Sequence, residues 1–336
     1  MSSKPSTAVA VHRARFLDFR PRRVTCLAAS PSSKLLAVSY SNAEVAVFRI
    51  LDSSHIVPVL VRTHGGGRCL AEIVACGSSA ASVTTIAWMA DVSSSGTKDE
   101  FSDRCFVGGL TGHISEVDFT KSAYKNKLHS YGGAVWRLAA APHHGLLAAA
   151  SDDGRVNIHT TEGGAITWQR GLAGLGSRAL CAAWHPTEAV VFAGSSSGVV
   201  CGWDLREGSP SFGRVAMRFT LPSPSAAPSL VWSLAVLADF TVATGDNYGQ
   251  VTVWDGQSGT PVATMAHHKT DVYTLAAWEP GPDDGVAVGD VTAVLAAGSN
   301  DGKVSLISRQ GQSWTVSEEH REHSHDVRGL ALALAP

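Results

Sequence analysis

Charge is scarce in this chain: Asp, Glu, Lys and Arg supply 17% of 336 residues, and the formal net charge is only −2. A molecule so nearly neutral is not committed as a whole to nucleic acid. No apolar run approaches 18 residues, and no apolar stretch follows the basic N-terminus, so the sequence predicts a soluble protein, neither secreted nor membrane-spanning. Six cysteines (26, 69, 76, 105, 181, 201) form no CxxC and no ladder of spacings. They read as reduced, small core residues of an intracellular protein. No segment sustains a 3.6-residue period over ten residues, which predicts almost no helix.

What the chain does have is apolar material, 44% of it, and 33 glycines scattered as tight turns would need them. One pattern recurs. It begins as VTCLAAS at 24, VTTIAWM at 83, VWRLAAAP at 135, ALCAAWHP at 179, VWSLAVL at 231, VYTLAAW at 272 and VRGLALA at 327, in steps of 41 to 59 residues. After each start comes an apolar run, a polar turn with glycine and an alternating run, as in LLAAASDDGRVNIH (146–159), VVFAGSSSGVVCGWD (190–204) and TVATGDNYGQVTVWD (241–255). Each is a β-hairpin whose glycine (Gly112, Gly154, Gly198, Gly249 or Gly302) supplies a positive φ. The first unit has Ala43 or Glu44 there and should turn differently. Trp203-Asp204 and Trp254-Asp255 close third strands, as in WD40 repeats of roughly 40–45 residues.

The fold class predicted is all-β: a single WD40-type β-propeller over 1–336, with seven blades, the last incomplete because only its inner strand, 327–334, is present. Residues 11–17 should be the outer strand of that closing blade, and 63–82, 91–103, 208–229 and 279–291 should be surface loops.

Candidate chemistry is thin. GSSSG at 194–198 matches a nucleophile elbow around Ser196, but that motif needs a following helix, and VVCGWD reads as a strand. The glycines of GLAGLGSR (171–178) lie in the wrong order for a dinucleotide loop, and no Walker motif exists. His320, His323 and His325 cluster among acids without a cysteine, a weak case for metal. His268 stands where this repeat places a structural histidine before an inner strand, as does His325. The sequence therefore predicts no catalytic residue, cofactor, metal or small-molecule substrate. The one dense basic cluster is Arg13, Arg15, Arg20, Arg22 and Arg23: residues 1–34 carry +6, leaving −8 for the rest, so this group is the candidate for RNA phosphate. Arg137 and Arg178 are weaker candidates for the rim. Trp203-Asp204-Leu205-Arg206 resembles the WD-x-R box of cullin ubiquitin-ligase substrate receptors, in which Arg206 would contact the adaptor.

Six stretches, VHRARFLDFRP (11–21), FVGGLTGHISEVD (106–118), YGGAVWRLAAAP (131–142), SRALCAAWHP (177–186), VWSLAVLADFTVATGDNYGQVTVWD (231–255) and HSHDVRGLAL (323–332), resemble in order the cirhin family. These are WD-repeat subunits of the small-subunit processome. The resemblance implies the first of two tandem propellers, without the second propeller and C-terminal tail. It further implies a non-catalytic scaffold of the t-UTP/UtpA subcomplex in the nucleus and nucleolus. Such a scaffold would act on the 5′ external transcribed spacer of pre-rRNA, in 18S rRNA maturation and rRNA transcription. The implied partners are other WD-repeat and helical subunits, with the U3 small nucleolar ribonucleoprotein met indirectly and no membrane.

Overall fold

The structure, a computed structural model, describes residues 23–32, 34–41, 44–51, 56–58, 72–73, 83–90, 103–119, 121, 123–281 and 291–332. They form six antiparallel sheets, five of four strands and the first of five, following one another around a ring. Within each sheet the strands pair in chain order, so each blade is a meander. The inner strands are Val24–Ala29, Val83–Met89, Val135–Ala140, Ala179–Trp184, Val231–Val236 and Val272–Trp278. All six sequence starts that the repeat predicts within 24–278 fall on these strands. The only helical turn among the described residues is a 3-10 turn at Glu162–Gly164.

Seven blades were predicted and six sheets are found. Residues 327–332 form no strand, because a strand is defined by its ladder and no neighbour pairs with them among the described residues. The segment nonetheless sits where a seventh inner strand would. In blades 2, 4 and 5 a glycine of the second strand makes room for the first valine of the next inner strand. A Cβ on Gly108 would stand 3.0 Å from Val135, on Gly194 2.4 Å from Val231, and on Gly245 2.7 Å from Val272. Gly298 of blade 6 receives Val327 in the same way, at 2.6 Å. On the other side Gly329 lies against Leu27 of blade 1. Val327 N–H donates to Ser299 O at 2.9 Å, and Leu330 N–H donates to Thr274 Oγ1 at 3.2 Å. The segment thus bridges the sixth blade to the first. Residues 11–17 and 333–336 lie outside the described residues, as do Cys69 and Cys76.

The region 208–229, predicted as loop, contains the outer strand of blade 4, Val215–Thr220. Its side chains are mostly exposed, and its short alternation of Val215, Met217 and Phe219 is embedded among Ser, Pro and Gly residues that read as loop. Glu72–Ile73, inside the predicted loop 63–82, likewise pairs with the third strand of blade 1.

The core lies between blades. Alanines of second strands, such as Ala148 and Ala150, let tryptophans and valines of the next blade approach, with Trp184 and Trp203 buried beside them. Tryptophan polar tips are satisfied across the same seams: Trp88 Nε1–H donates to Ala28 O at 3.0 Å and Trp184 Nε1–H to Ala139 O at 2.8 Å. Cys26, Cys105, Cys181 and Cys201 are buried free thiols. Burial pushes Cys181 up to about 12, which makes it a poor nucleophile.

Candidate interaction surface

The five hairpin glycines named above all have positive φ, between +73° and +81°. Each turn presses on the connection to an inner strand: a Cβ on Gly112 would lie 2.7 Å from Gly133 O, on Gly154 2.6 Å from Ser177 O, and on Gly249 2.2 Å from His268 O. Hairpin turns and blade-to-blade connections therefore share one face of the disc, and the inner strands begin there. The turn of blade 1 differs, with Tyr40 N–H donating to Glu44 O at 2.9 Å; residues 42 and 43 lie outside the described residues.

The second residue of each inner strand stands at this face near the axis. In blades 3, 5 and 6 it is aromatic, and its polar neighbours form two chains. Trp136 Nε1–H donates to Asp152 at 3.1 Å, and Arg178 pairs with the same carboxylate at 2.9 Å. Farther round, Trp232 Nε1–H donates to Asp271 at 2.7 Å, and the Trp232 ring meets Tyr273 edge-on at 5.6 Å. The Arg328 guanidinium covers Tyr273 at 4.7 Å from its centroid and donates to Asp326 at 2.5 Å. Asp326 also pairs with Arg23. These two arginines hold the Asp326 carboxyl below its ordinary range against the opposing effect of burial. Arg23 is thus placed in the contact that ties blade 1 to the closing segment. Arg13, Arg15, Arg20 and Arg22 lie outside the described residues.

Arg206 has an intramolecular partner. Its Nε and Nη2 donate to Asp204 at 3.0 and 2.8 Å, and Ser209 and Ser211 donate to the same carboxylate. Asp204 is 1% exposed, and the Arg206 hydrogen bonds hold its carboxyl far below the ordinary value. The WD-x-R box is therefore a closed local network, with Arg206 still half exposed.

The histidines have structural surroundings. His185 accepts from the Glu188 backbone N–H at Nδ1, 3.0 Å, so Nε2 carries the proton and donates to Ala238 O of the next blade at 3.1 Å. His268 is buried with Nδ1 3.4 Å from Asp301 in the hairpin turn of its own blade. Burial lowers its pKa despite that acid. His325 is exposed, its Nδ1 2.9 Å from Ser324 Oγ. Among the described residues no three His, Cys, Asp or Glu side chains converge on a common point suited to a metal ion. Ser196 lies in the hairpin turn, followed by the strand Val199–Asp204. Leu172 and Leu175, in and beside the glycine-rich loop, are buried in the seam between blades 3 and 4.

On this geometry the molecule is an all-β WD40 propeller: a ring of meander blades with one face of hairpin turns and connections around an axis. The family model for the WD domain, G-beta repeat, matches residues 121–160. Over 322 residues, 96% of the chain, it is 26% identical to the mouse U3 small nucleolar RNA-associated protein 4 homolog and 25% identical to the human one. It is 26% identical over 335 residues to U3 small nucleolar RNA-associated protein 4 of Schizosaccharomyces pombe. The chain spans 42% of the length of each of these relatives. A chain in a crystal structure of the mitotic checkpoint complex superposes with a TM-score of 0.66 at 17% identity, covering 99% of this chain and 93% of that one. That likeness concerns the fold alone.

Proposed function

We propose that this propeller is a non-catalytic scaffold element of a U3-associated pre-ribosomal complex, acting in rRNA processing in the nucleolus. The observation that carries the reading is the extent of the sequence relation. It runs through every blade to proteins whose names link them to U3 small nucleolar RNA, instead of being confined to one repeat. A propeller suits such work because its blades are fixed by interblade packing while its loops stay free for recognition. In this reading the binding partners are subunits of the t-UTP/UtpA kind, and the basic cluster Arg13, Arg15, Arg20 and Arg22 contacts the phosphates of the 5′ external transcribed spacer. The test is in-cell crosslinking of the full-length native protein followed by RNA sequencing and mass spectrometry. Recovery of U3 RNA and spacer RNA with processome subunits is the expected result; their absence from a well-recovered protein would overturn the reading. Arg206 has less to recommend it as an adaptor contact, since Asp204 already holds its donors.

A further inference from the structure

The third residues of the inner strands follow a β-bulge, and in every blade but one they are small: Cys26, Thr85, Cys181, Ser233 and Thr274, with Gly329 in the closing segment. Several of them serve their neighbours. Ser233 Oγ–H donates to Val272 O at 2.8 Å, Cys181 Sγ–H donates to Val231 O at 3.3 Å, and Thr85 Oγ1 accepts from Leu138 N–H at 2.8 Å. Blade 3 has Arg137 in that place. Its side chain lines a shallow recess at the axis, open to solvent and with enclosed room for about one water molecule, together with Cys181, Trp232, Ser233, Tyr273 and Thr274.

Among the described residues Arg137 makes no ion pair and no side-chain hydrogen bond, although it is only partly exposed. The nearby rim acids are engaged elsewhere: Asp152 by Trp136 and Arg178, Asp271 by Trp232, Asp326 by Arg23 and Arg328. A guanidinium cannot shed its proton to relieve desolvation, so a half-buried, unmatched one favours an incoming anion. We propose that an aspartate or glutamate from a segment of a partner protein docks at the mouth of this recess, and that Arg137 pairs with its carboxylate.

Three observations favour an acidic peptide over an RNA strand. The recess encloses room for only about one water molecule, so it can take the tip of a carboxylate and not a nucleotide base. Its aromatic walls are spoken for, Tyr273 covered by Arg328 and Trp232 set edge-on to Tyr273, leaving the rings poorly placed for base stacking. The rim also carries Asp152, Asp271 and Asp326, which oppose a continuous run of phosphates more than a single carboxylate. This assignment rests on the scaffold reading above and gives it a point of protein contact.

The experiment uses the full-length protein and a fluorescein-labelled peptide, Gly-Ser-Glu-Glu-Ser-Gly, read by anisotropy at low salt. Binding should weaken about tenfold or more when Gln replaces Glu in the peptide, and again in Arg137→Gln, whereas Arg214→Gln, an exposed arginine off the axis, should leave it unchanged. Arg137→Lys, which keeps the charge but not the fork, should fall between. Equal peptide binding by wild type and Arg137→Gln proteins with matching melting curves would overturn the proposal. So would an Arg137-dependent complex with oligouridylate but none with the peptide. If Arg137→Gln fails to fold, the Gln peptide and Arg137→Lys still decide it. U3 RNA recovery measured alongside separates the two readings: peptide failure with RNA retained removes only the recess assignment.

Discussion

The clearest test of the propeller's construction is a pair of glycine substitutions that share backbone strain and differ only in what a Cβ would meet. Gly249 has φ +80° and Gly164 has φ +83°, so an alanine at either must adopt a left-handed backbone. That costs roughly 1–2 kcal/mol. At Gly164 nothing lies within 4 Å of the added carbon, whereas at Gly249 it would stand 2.2 Å from His268 O and 2.6 Å from its carbon. Those atoms belong to the connection entering blade 6, whose His268 is buried against Asp301, so relief requires moving a packed loop. Overpacking of that kind costs about 1–3 kcal/mol more. With an unfolding entropy near 2.1 cal/mol/K per residue, a chain of this length gains roughly 0.7 kcal/mol/K, and 1 kcal/mol moves the midpoint by about 1.5 °C. Gly164→Ala should therefore lower Tm by about 2 °C and Gly249→Ala by about 5 °C in differential scanning calorimetry. Equal shifts would refute the claim that hairpin turns are clamped onto the interblade connections.

His159 is fully buried, and desolvation lowers its pKa to about 4. Between about 4 and 6.5 the unfolded chain binds the extra proton, so stability is full above 6.5 and falls as pH drops through that window, by up to about 3 kcal/mol. His159→Leu should flatten that part of a denaturant-midpoint-versus-pH curve. Asp204 is the opposite acid case: its folded carboxyl lies below the ordinary value, so it stabilises above about pH 4 and that contribution is lost on further acidification. Arg206→Ala should remove most of this acid-limb dependence and destabilise at neutral pH by about 1–3 kcal/mol, measured by urea unfolding. Asp326→Asn should loosen the tie among Arg23, Arg328 and the closing segment, and faster amide exchange at Val327 and Leu330 with blade 3 unaffected would register it.

How much was legible depended on whether the signal was local. The hairpin glycines could be placed by reading alone, because a tight turn needs a positive φ and glycine alone takes it cheaply. Inner strands were legible because each opens on the same recurring apolar run. The outer strand Val215–Thr220 was not, since an exposed edge strand is held by its neighbour's backbone and its side chains are under little constraint. The predicted seventh blade failed for a related reason: VRGLALA looks like an inner strand, yet strand formation depends on a partner ladder and not on the segment's own composition. Arg137 was noticed only as a weak rim candidate, because its lack of an acid partner is a property of four blades meeting at an axis.

The sequence by itself determined the all-β character, the repeat and the turn positions, for these follow from side-chain periodicity and backbone sterics within a few residues. Tertiary structure decided which valine seats on which glycine and that Val327 fills the slot between blades 6 and 1. It also decided that Arg23 and Arg206 are engaged while Arg137 is left unmatched. Those outcomes depend on distances between residues far apart in the chain, which are set only when the blades close upon one another.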